Sequence, residues 1–177
     1  VPLDMRAHAE MLGATVVDSL GDLAGRDVVF TTVGGSQDLA EVLLGADGLL
    51  SREGAAPAIV VDSSTVSADV SARIRGEAAR RGSVLIAAPV SGNPKVITAG
   101  KLTVAASGPR SAFDAAQPLL ATWGRGVSYV GEGETARLVK LAHNVFLGVV
   151  IQSLAEITVL AERGGVSREA FLEFLNA

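Results

Sequence analysis

The sequence predicts an open α/β sheet with helices packed on both faces, followed by a long helix that begins an all-α region. Three observations support this fold class. Short β-branched runs alternate with helix-like segments through the first two-thirds of the chain. Several of these runs are continuously apolar, as in parallel strands that are buried on both faces. From Glu134 onward the alternation stops, and the rest of the chain contains no proline.

The predicted strands coincide with six short apolar runs, at 14–18, 27–33, 58–62, 83–88, 102–107 and 126–130. Helices are predicted between them. Ser36 is expected to cap a helix that Gly45 ends, and Ser67 to cap a helix that ends near Gly82. Hydroxyl side chains favour helix N-caps, and glycine favours the residue after a helix. A further helix is expected within 109–123.

The helix that follows Glu134 is apolar around most of its circumference and ends near Gly164. A helix of this composition is normally buried on most sides. Because few residues follow it, we expect it to pack on another subunit or on residues outside this chain. A homodimer or larger homo-oligomer is therefore predicted. The sequence divides into a sheet domain at 1–132 and the start of a helical domain at 133–177.

Composition excludes several classes of function. A formal net charge of −4 argues against a surface that neutralises nucleic-acid phosphates. The sequence has no cysteine, which excludes disulfides, thiolate catalysis and cysteine-ligated zinc. Its two histidines, His8 and His143, lie far apart in sequence, so no metal site is predicted. Chemistry must come from lysine, carboxylate or hydroxyl side chains, or from a bound cofactor.

The sequence also predicts where the protein resides. The N-terminal residues contain no apolar stretch after a basic start, so no secretory signal is predicted. The longest uncharged run, 141–155, is shorter than the roughly 20 residues of a membrane-spanning helix. We therefore expect a cytoplasmic protein without a membrane partner.

Two predicted strand ends carry candidate ligand-binding loops. Ligands of open α/β sheets bind at the carboxyl ends of the strands, which places Thr32, Val33 and Gly34 at one such position. Ser64 and Thr65 follow the next strand in the same way. A plain turn in the first loop and a helix cap in the second explain the same residues. Both interpretations stay open at this point.

A third candidate is the stretch Pro-Val-Ser-Gly-Asn-Pro, which follows the 83–88 run. Gly92 allows the backbone to present N–H groups, while Ser91 supplies a hydroxyl and Asn93 an amide. This set of donors suits a carboxylate. A tight turn that uses Pro94 is the structural alternative.

The fourth candidate is Lys140, inside the long apolar helix. Asn144 and Gly148 follow at four-residue intervals, so the three residues lie near one helical face. Its apolar sequence neighbours suggest a partly desolvated ammonium that releases a proton more readily than an exposed lysine. A lysine that reaches out to solvent along its alkyl chain is the alternative.

Taken in order, these four features resemble the β-hydroxyacid dehydrogenase family, whose type member is 3-hydroxyisobutyrate dehydrogenase. That family shows a strand ending near Thr-Met-Leu-Pro, then Asp-x-Ser-Thr, Asp-Ala-Pro-Val-Ser-Gly-Gly and Gly-x-Gly-x-x-x-Lys-x-x-x-Asn. The corresponding stretches of this chain are TTVG, DSST, AAPVSGN and GEGETARLVKLAHN. The resemblance implies a Rossmann-like, doubly wound sheet that binds NAD or NADP.

The resemblance also implies a reaction and roles for the candidates. The reaction is hydride transfer between a nicotinamide and a small 2- or 3-hydroxy acid. Thr32, Val33, Gly34 and Thr65 would bind the cofactor. Ser91, Gly92 and Asn93 would hold the substrate carboxylate, and Asn144 would orient the substrate. Lys140 would be the general acid/base.

Several departures from the family pattern bear on the substrate and on completeness. Asn93 replaces a glycine, Gly34 replaces a proline, and Ala87 replaces an aspartate. The sequence contains no Gly-x-Gly-x-x-Gly, which the family carries in its first βα turn. We therefore expect an incomplete sheet, taken from the middle of a longer enzyme. An imine reductase-like enzyme on the same scaffold and a truncated, non-catalytic remnant are the alternatives.

Overall fold

The computed structural model describes residues 3–51, 54 and 56–177. Its helices are Leu3–Met11 (α1), Ser36–Leu44 (α2), Ala68–Arg80 (α3), Pro94–Thr98 (α4), Arg110–Leu120 (α5), Thr135–Arg163 (α6) and Arg168–Asn176 (α7). Its strands are Val28–Thr31 (β1), Ile59–Asp62 (β2), Val84–Ala87 (β3), Val90–Ser91 (β4), Leu102–Ala106 (β5) and Gly124–Tyr129 (β6). The chain forms two compact units, the first ending at Leu138 and the second running from Val139 to Ala177. The boundary between them lies within α6.

The strands form two three-stranded sheets. In the first, β1, β2 and β3 are parallel, and their registers align Thr31 with Asp62 and Asp62 with Ala87. In the second, β4 pairs antiparallel with β5, which pairs parallel with β6. An antiparallel bridge between Ala87 and Ser107 connects the two sheets. Because β1 to β3 are parallel and aligned, their carboxyl ends lie together at one edge.

The core of the first unit lies on both faces of the sheet, as the continuous apolar runs predict. Ile59 and Val61 pack on one side with residues of α5. Val60, which points to the opposite face, packs with Leu43 of α2 and Ile74 of α3. All four residues of β2 are buried. Burial on both sides explains why this strand shows no apolar–polar alternation, and the α/β fold class is confirmed.

Two local predictions are wrong. Residues 14–18 form no strand, because a strand needs a hydrogen-bonding neighbour and β1 pairs with β2 alone in the described part of the chain. Ser36 does not cap α2: the N-cap is Gly35, and Ser36 is the first helical residue. The Ser36 hydroxyl instead accepts a hydrogen bond from the Ser67 N–H at 3.0 Å.

Other predicted boundaries are confirmed. The N–H of Gly45 bonds to the Glu41 carbonyl at the end of α2, and Ser67 caps α3 by accepting from the Val70 N–H. Gly82 follows α3 with φ of 75°, a conformation that favours glycine. Ser167 caps α7 in the same way as Ser67 caps α3. These helix ends depend on residues that are neighbours in the chain, so they can be predicted from the sequence.

Helix α6 has the predicted extent, beginning after Glu134 and ending before Gly164, but it is more exposed than a helix of this composition normally is. By length and composition it is apolar enough to cross a membrane, although a core helix of a soluble protein passes the same test. Only 6% of its most apolar window is buried. Phe146, Ile151 and Leu160 each expose more than half of their surface. The expected apolar helix is present, and most of its side chains have no covering partner among the described residues.

Candidate functional site

The loops that follow β1 and β2 lie side by side, because the two strands are parallel and in register. The Val33 N–H donates to the Ser64 hydroxyl at 2.9 Å, which ties the two loops together. Thr32, Gly34 and Thr65 are exposed, and Val33 is half-buried. The structure thus brings together the four residues that the sequence predicted for cofactor binding.

A buried carboxylate lies beneath these loops. Asp62, the last residue of β2, is fully buried. Its Oδ1 accepts hydrogen bonds from the Thr31 hydroxyl at 2.8 Å and from the Ser64 hydroxyl at 2.7 Å. Ser64 therefore donates to Asp62 and accepts from Val33. An unpaired buried carboxylate would be very unfavourable, so its partners are part of the site's architecture.

The charged partner of Asp62 is Arg137, a buried residue in the first turns of α6. Its Nη2 donates to Asp62 Oδ2 at 2.5 Å. Sequence reasoning missed this residue because Lys140 was the basic residue that drew attention. A signal was present in the sequence. In the family motif Gly-x-Gly-x-x-x-Lys, the lysine comes four positions after the second glycine, and the residue four positions after Gly133 is Arg137. Lys140 follows three residues later.

The predicted carboxylate-binding stretch lies at the junction of β4 and α4. Ser91 pairs with Thr103 of β5. Gly92 has φ of 155°, and a Cβ added there would lie 2.6 Å from Leu102 Cδ2. The Asn93 Oδ1 accepts from the Val96 N–H at 3.0 Å and caps α4. A short helix therefore forms where a tight turn was the structural alternative, and the Asn93 oxygen caps that helix, which leaves its NH₂ group as a donor.

Lys140 and Asn144 lie in α6, four residues apart, within the second unit. Lys140 is half-buried and Asn144 is exposed. The apolar neighbours that the sequence suggested as a desolvating shell are themselves exposed, Leu138 at 65% and Leu141 at 61%. Within the described residues, these neighbours do not enclose Lys140.

The exposed loops after β1 and β2 are suited to part of a dinucleotide. Thr32 and Thr65 offer hydroxyls at the strand ends, where α/β sheets bind ligands. A Cβ added at Gly34 would lie 2.9 Å from Asp38 Oδ2, the end of a flexible side chain. The sequence lacks the glycine-rich turn that binds a pyrophosphate. Within the described residues, no cluster of three or more acidic or histidine side chains is arranged to hold a metal.

Comparison with known families gives one match over most of the first unit. The model described as the NAD binding domain of 6-phosphogluconate dehydrogenase matches residues 4–131. That interval contains β1 to β6 and every candidate residue except Lys140 and Asn144. It also contains Asp62 but not Arg137.

Relatives and solved structures extend the similarity into α6. The 3-hydroxyisobutyrate dehydrogenase of Pseudomonas aeruginosa is 30% identical over 164 residues, 92% of this chain and 55% of that protein. The 2-(hydroxymethyl)glutarate dehydrogenase of Eubacterium barkeri is 32% identical over 152 residues, 86% of this chain and 50% of that protein. A structure of Mycobacterium tuberculosis 3-hydroxyisobutyrate dehydrogenase with L-serine matches 98% of this chain and 59% of that one, with a TM-score of 0.83 and 25% identity.

An imine reductase from a Pseudomonas species has the same fold, with a TM-score of 0.79, 22% identity, and coverage of 98% of this chain and 60% of that one. At this identity the likeness concerns the fold alone. The chain spans about half the length of the curated relatives it matches.

Proposed function

Since the chain belongs to the family of the NAD binding domain of 6-phosphogluconate dehydrogenase, we propose that it is part of an NAD- or NADP-dependent oxidoreductase. The reaction is hydride transfer between a nicotinamide and a small 2- or 3-hydroxy acid. The enzyme is longer than this chain, as are the relatives that it resembles. Domain 1–132 would bind the cofactor, and 133–177 would begin the helical domain.

One observation carries the proposal: two exposed loops meet at the carboxyl edge of a parallel sheet and are tied together there. The bond from the Val33 N–H to Ser64 holds the loops at a fixed separation. Thr32, Gly34 and Thr65 remain exposed beside it. A rigid, polar edge of this kind can orient a nicotinamide, because orientation requires a site that does not move on binding.

The substrate class follows from the relatives, which are dehydrogenases of hydroxy acids. Thr32, Val33, Gly34 and Thr65 would hold the nicotinamide cofactor, which would supply or accept the hydride when bound. Ser91, Gly92 and Asn93 hold the substrate carboxylate through the Ser91 hydroxyl, backbone N–H groups and the Asn93 NH₂. Asn144 orients the substrate. Lys140 donates a proton to the oxygen of the substrate during reduction and accepts it during oxidation.

The experiment that tests this assignment is Lys140→Ala in the full-length protein, followed by NAD(P)H absorbance with hydroxy acids and their oxidised forms. We expect the rate of hydride transfer to fall by about 100-fold or more, the usual contribution of a general acid/base. Lys101→Ala is the matched control, because Lys101 is an exposed lysine that follows α4. Near-normal turnover by Lys140→Ala would contradict the mechanism.

An imine reductase is the second candidate, and the fold shared with the Pseudomonas imine reductase favours it. The hydroxy-acid dehydrogenases are more similar in sequence, at 30% and 32% identity against 22% for the imine reductase, and so favour the first proposal. Comparing turnover of keto acids, semialdehydes and cyclic imines by the full-length protein separates the two activities. A preference for cyclic imines would replace the first proposal with the second.

We also propose that the enzyme is cytoplasmic and that protein, not lipid, covers α6. Polar residues recur along this helix at intervals of four or eight, at Lys140, Asn144, Gln152 and Glu156. Gln152 and Glu156 are joined by a hydrogen bond of 2.7 Å. Side chains of this type are costly in a bilayer interior. A homodimer, or the remaining helical domain, would cover the apolar residues.

A truncated remnant without catalytic function is tested with the 177-residue chain itself. We expect weak or no binding of NADH and NADPH, because the chain lacks the glycine-rich pyrophosphate turn. Full-length protein is expected to bind one of the two cofactors more tightly. Binding by neither form would support a remnant.

A further inference from the structure

We propose that Arg137 is a positioning residue: its buried ion pair with Asp62 fixes the two cofactor loops relative to the start of α6, the helix that carries Lys140. The inference rests on the proposed function for its consequence in catalysis. Its structural part concerns only the first unit, in which Asp62, Ser64 and Arg137 all lie.

The Arg137 guanidinium contacts three separate parts of the fold. Its Nη2 donates to Asp62 Oδ2 at 2.5 Å, its Nη1 to the Ser64 carbonyl at 2.6 Å, and its Nε to the Ser71 hydroxyl at 3.2 Å. The Arg137 side chain is 4% exposed and that of Asp62 is fully buried. A guanidinium is planar and its donors have fixed directions. The three bonds therefore define one orientation of the first turn of α6, residues 135–138, against β2 and α3.

The same contacts continue to the proposed cofactor site. Asp62 binds Arg137 through Oδ2 and the Ser64 hydroxyl through Oδ1. The Ser64 hydroxyl in turn accepts from the Val33 N–H. Arg137 also binds the Ser64 carbonyl directly. A shift of the guanidinium would therefore move Ser64 from two directions, and Val33 with it.

On the helix side, the first turn of α6 is held by further bonds within the first unit. The Ser107 hydroxyl accepts from the Ala136 N–H at 3.1 Å and donates to the Gly133 carbonyl at 2.8 Å. Arg75 donates to the same carbonyl and to Glu134 at 2.8 Å each. Lys140 lies three residues beyond Arg137, about 4.5 Å along the helix axis at ~1.5 Å per residue. This anchor, the Arg137–Asp62 ion pair, therefore holds α6 less than one helical turn from Lys140, the proposed proton donor.

The two possible roles of the ion pair, stabilising the fold and positioning the loops, lead to different results when Arg137 is substituted. Deleting either charge leaves the other buried and unpaired, which risks unfolding. Arg137→Lys avoids this, because lysine keeps the charge beside Asp62. A lysine ammonium cannot reproduce the planar fork that binds Ser64 and Ser71 at the same time. The variant therefore removes orientation while it retains the charge.

The test compares full-length wild type, Arg137→Lys and, as a control, Arg80→Lys, which alters an exposed ion pair of α3. In the protein without cofactor, we expect the Val33 amide of Arg137→Lys to exchange with deuterium about tenfold faster or more, while amides of β2 keep wild-type protection. In turnover assays, we expect kcat to fall by about tenfold or more. The KM for cofactor should rise about threefold or more, and the KM for the hydroxy acid should stay within about twofold, because 91–93 lie outside this network.

Wild-type exchange at Val33 together with wild-type kcat and cofactor KM in a folded Arg137→Lys protein would overturn the inference. Should Arg137→Lys not fold, Ser71→Ala removes the bond that orients the guanidinium from α3 and leaves the ion pair and the bond between Val33 and Ser64 intact. Faster exchange at Val33 and a higher cofactor KM in Ser71→Ala would support the inference, and unchanged values would overturn it. A wild-type enzyme that turns over no hydroxy acid would overturn the proposed function instead, and the exchange at Val33 would still test the anchor.

Discussion

Two regions differ in the side chains that they bury. The carboxyl edge of β1 to β3 buries charged side chains, whereas the exposed length of α6 leaves large apolar side chains uncovered. At the sheet edge, Asp62 and Arg137 are buried, and each has several hydrogen-bond partners. Along α6, Phe146, Ile151 and Leu160 are exposed by 62%, 67% and 71%. Burying charge is unfavourable unless it is paired, and exposing large apolar side chains forfeits their transfer energy. The charged groups at the sheet edge are paired within the first unit, whereas the apolar residues of α6 require another protein surface to bury them.

The largest effect expected from this contrast is in the core of the first unit. Leu43 of α2 is fully buried between the helix and the sheet. We expect Leu43→Ala to lower the free energy of unfolding by about 2–5 kcal/mol, through lost burial and the cavity that remains. Urea denaturation monitored by circular dichroism measures it. A loss smaller than that of an exposed-site variant such as Leu119→Ala would show that the first unit does not depend on this core.

A smaller effect is expected at the carboxylate-binding stretch, which lies in the first unit but is exposed. Gly92 has φ of 155°, and a Cβ there would meet Leu102 Cδ2 at 2.6 Å and Val96 Cγ1 at 2.8 Å. Gly92→Ala therefore adds backbone strain of about 1–3 kcal/mol. In the full-length protein we expect a higher KM for the hydroxy acid and an unchanged KM for the cofactor. Gly126→Ala is the control, since no atom lies within 4 Å of a Cβ at that position. Equal KM values for Gly92→Ala and wild type would count against the stretch as a substrate site.

The same contrast explains what the sequence could predict. β1 and β2 were predictable because a continuous apolar run has few alternatives to a strand buried on both faces. The caps at Ser67 and Gly45 were predictable because they depend on neighbouring residues in the chain. The absence of a strand at 14–18 was not predictable, because a strand forms only with a hydrogen-bonding partner and no local sequence pattern shows whether that partner is present.

The site shows the same division. Thr32, Gly34 and Thr65 could be placed from the rule that ligands gather at strand ends, and the structure puts them side by side. Arg137 could not be placed in this way, since its pairing with Asp62 joins residues 75 positions apart. The helix α4, which the Asn93 oxygen caps, was not predicted. Long-range pairing and five-residue helices leave little trace in a single sequence.

Two serine caps offer a matched comparison of the two units at an effect of about 1 kcal/mol each, the usual value of an N-cap. Ser67 caps α3 in the first unit by accepting from Val70, and Ser167 caps α7 in the second by accepting from Ala170. In the 177-residue chain, we expect Ser67→Ala to lower the midpoint of urea unfolding. Ser167→Ala should leave that midpoint unchanged and speed amide exchange in α7 alone, since this helix has no buried residues. A lowered global midpoint in both variants would show that the two units unfold together.

Within the 177-residue chain the smallest effect is expected on α6, and the size of this effect depends on which form of the protein is measured. In the 177-residue chain, Ile151→Ala changes a side chain that is 67% exposed, so we expect a change in unfolding free energy of no more than about 0.5 kcal/mol. In the full-length protein, where the proposed helical domain or a second subunit covers α6, the same substitution should cost about 2–5 kcal/mol. Gln152→Ala, on the adjacent polar position, serves as the control in both forms. Equal and small effects of Ile151→Ala in both forms would show that α6 stays uncovered. The contrast between a self-contained sheet edge and a helix that requires a cover would then describe the complete protein as well as this chain.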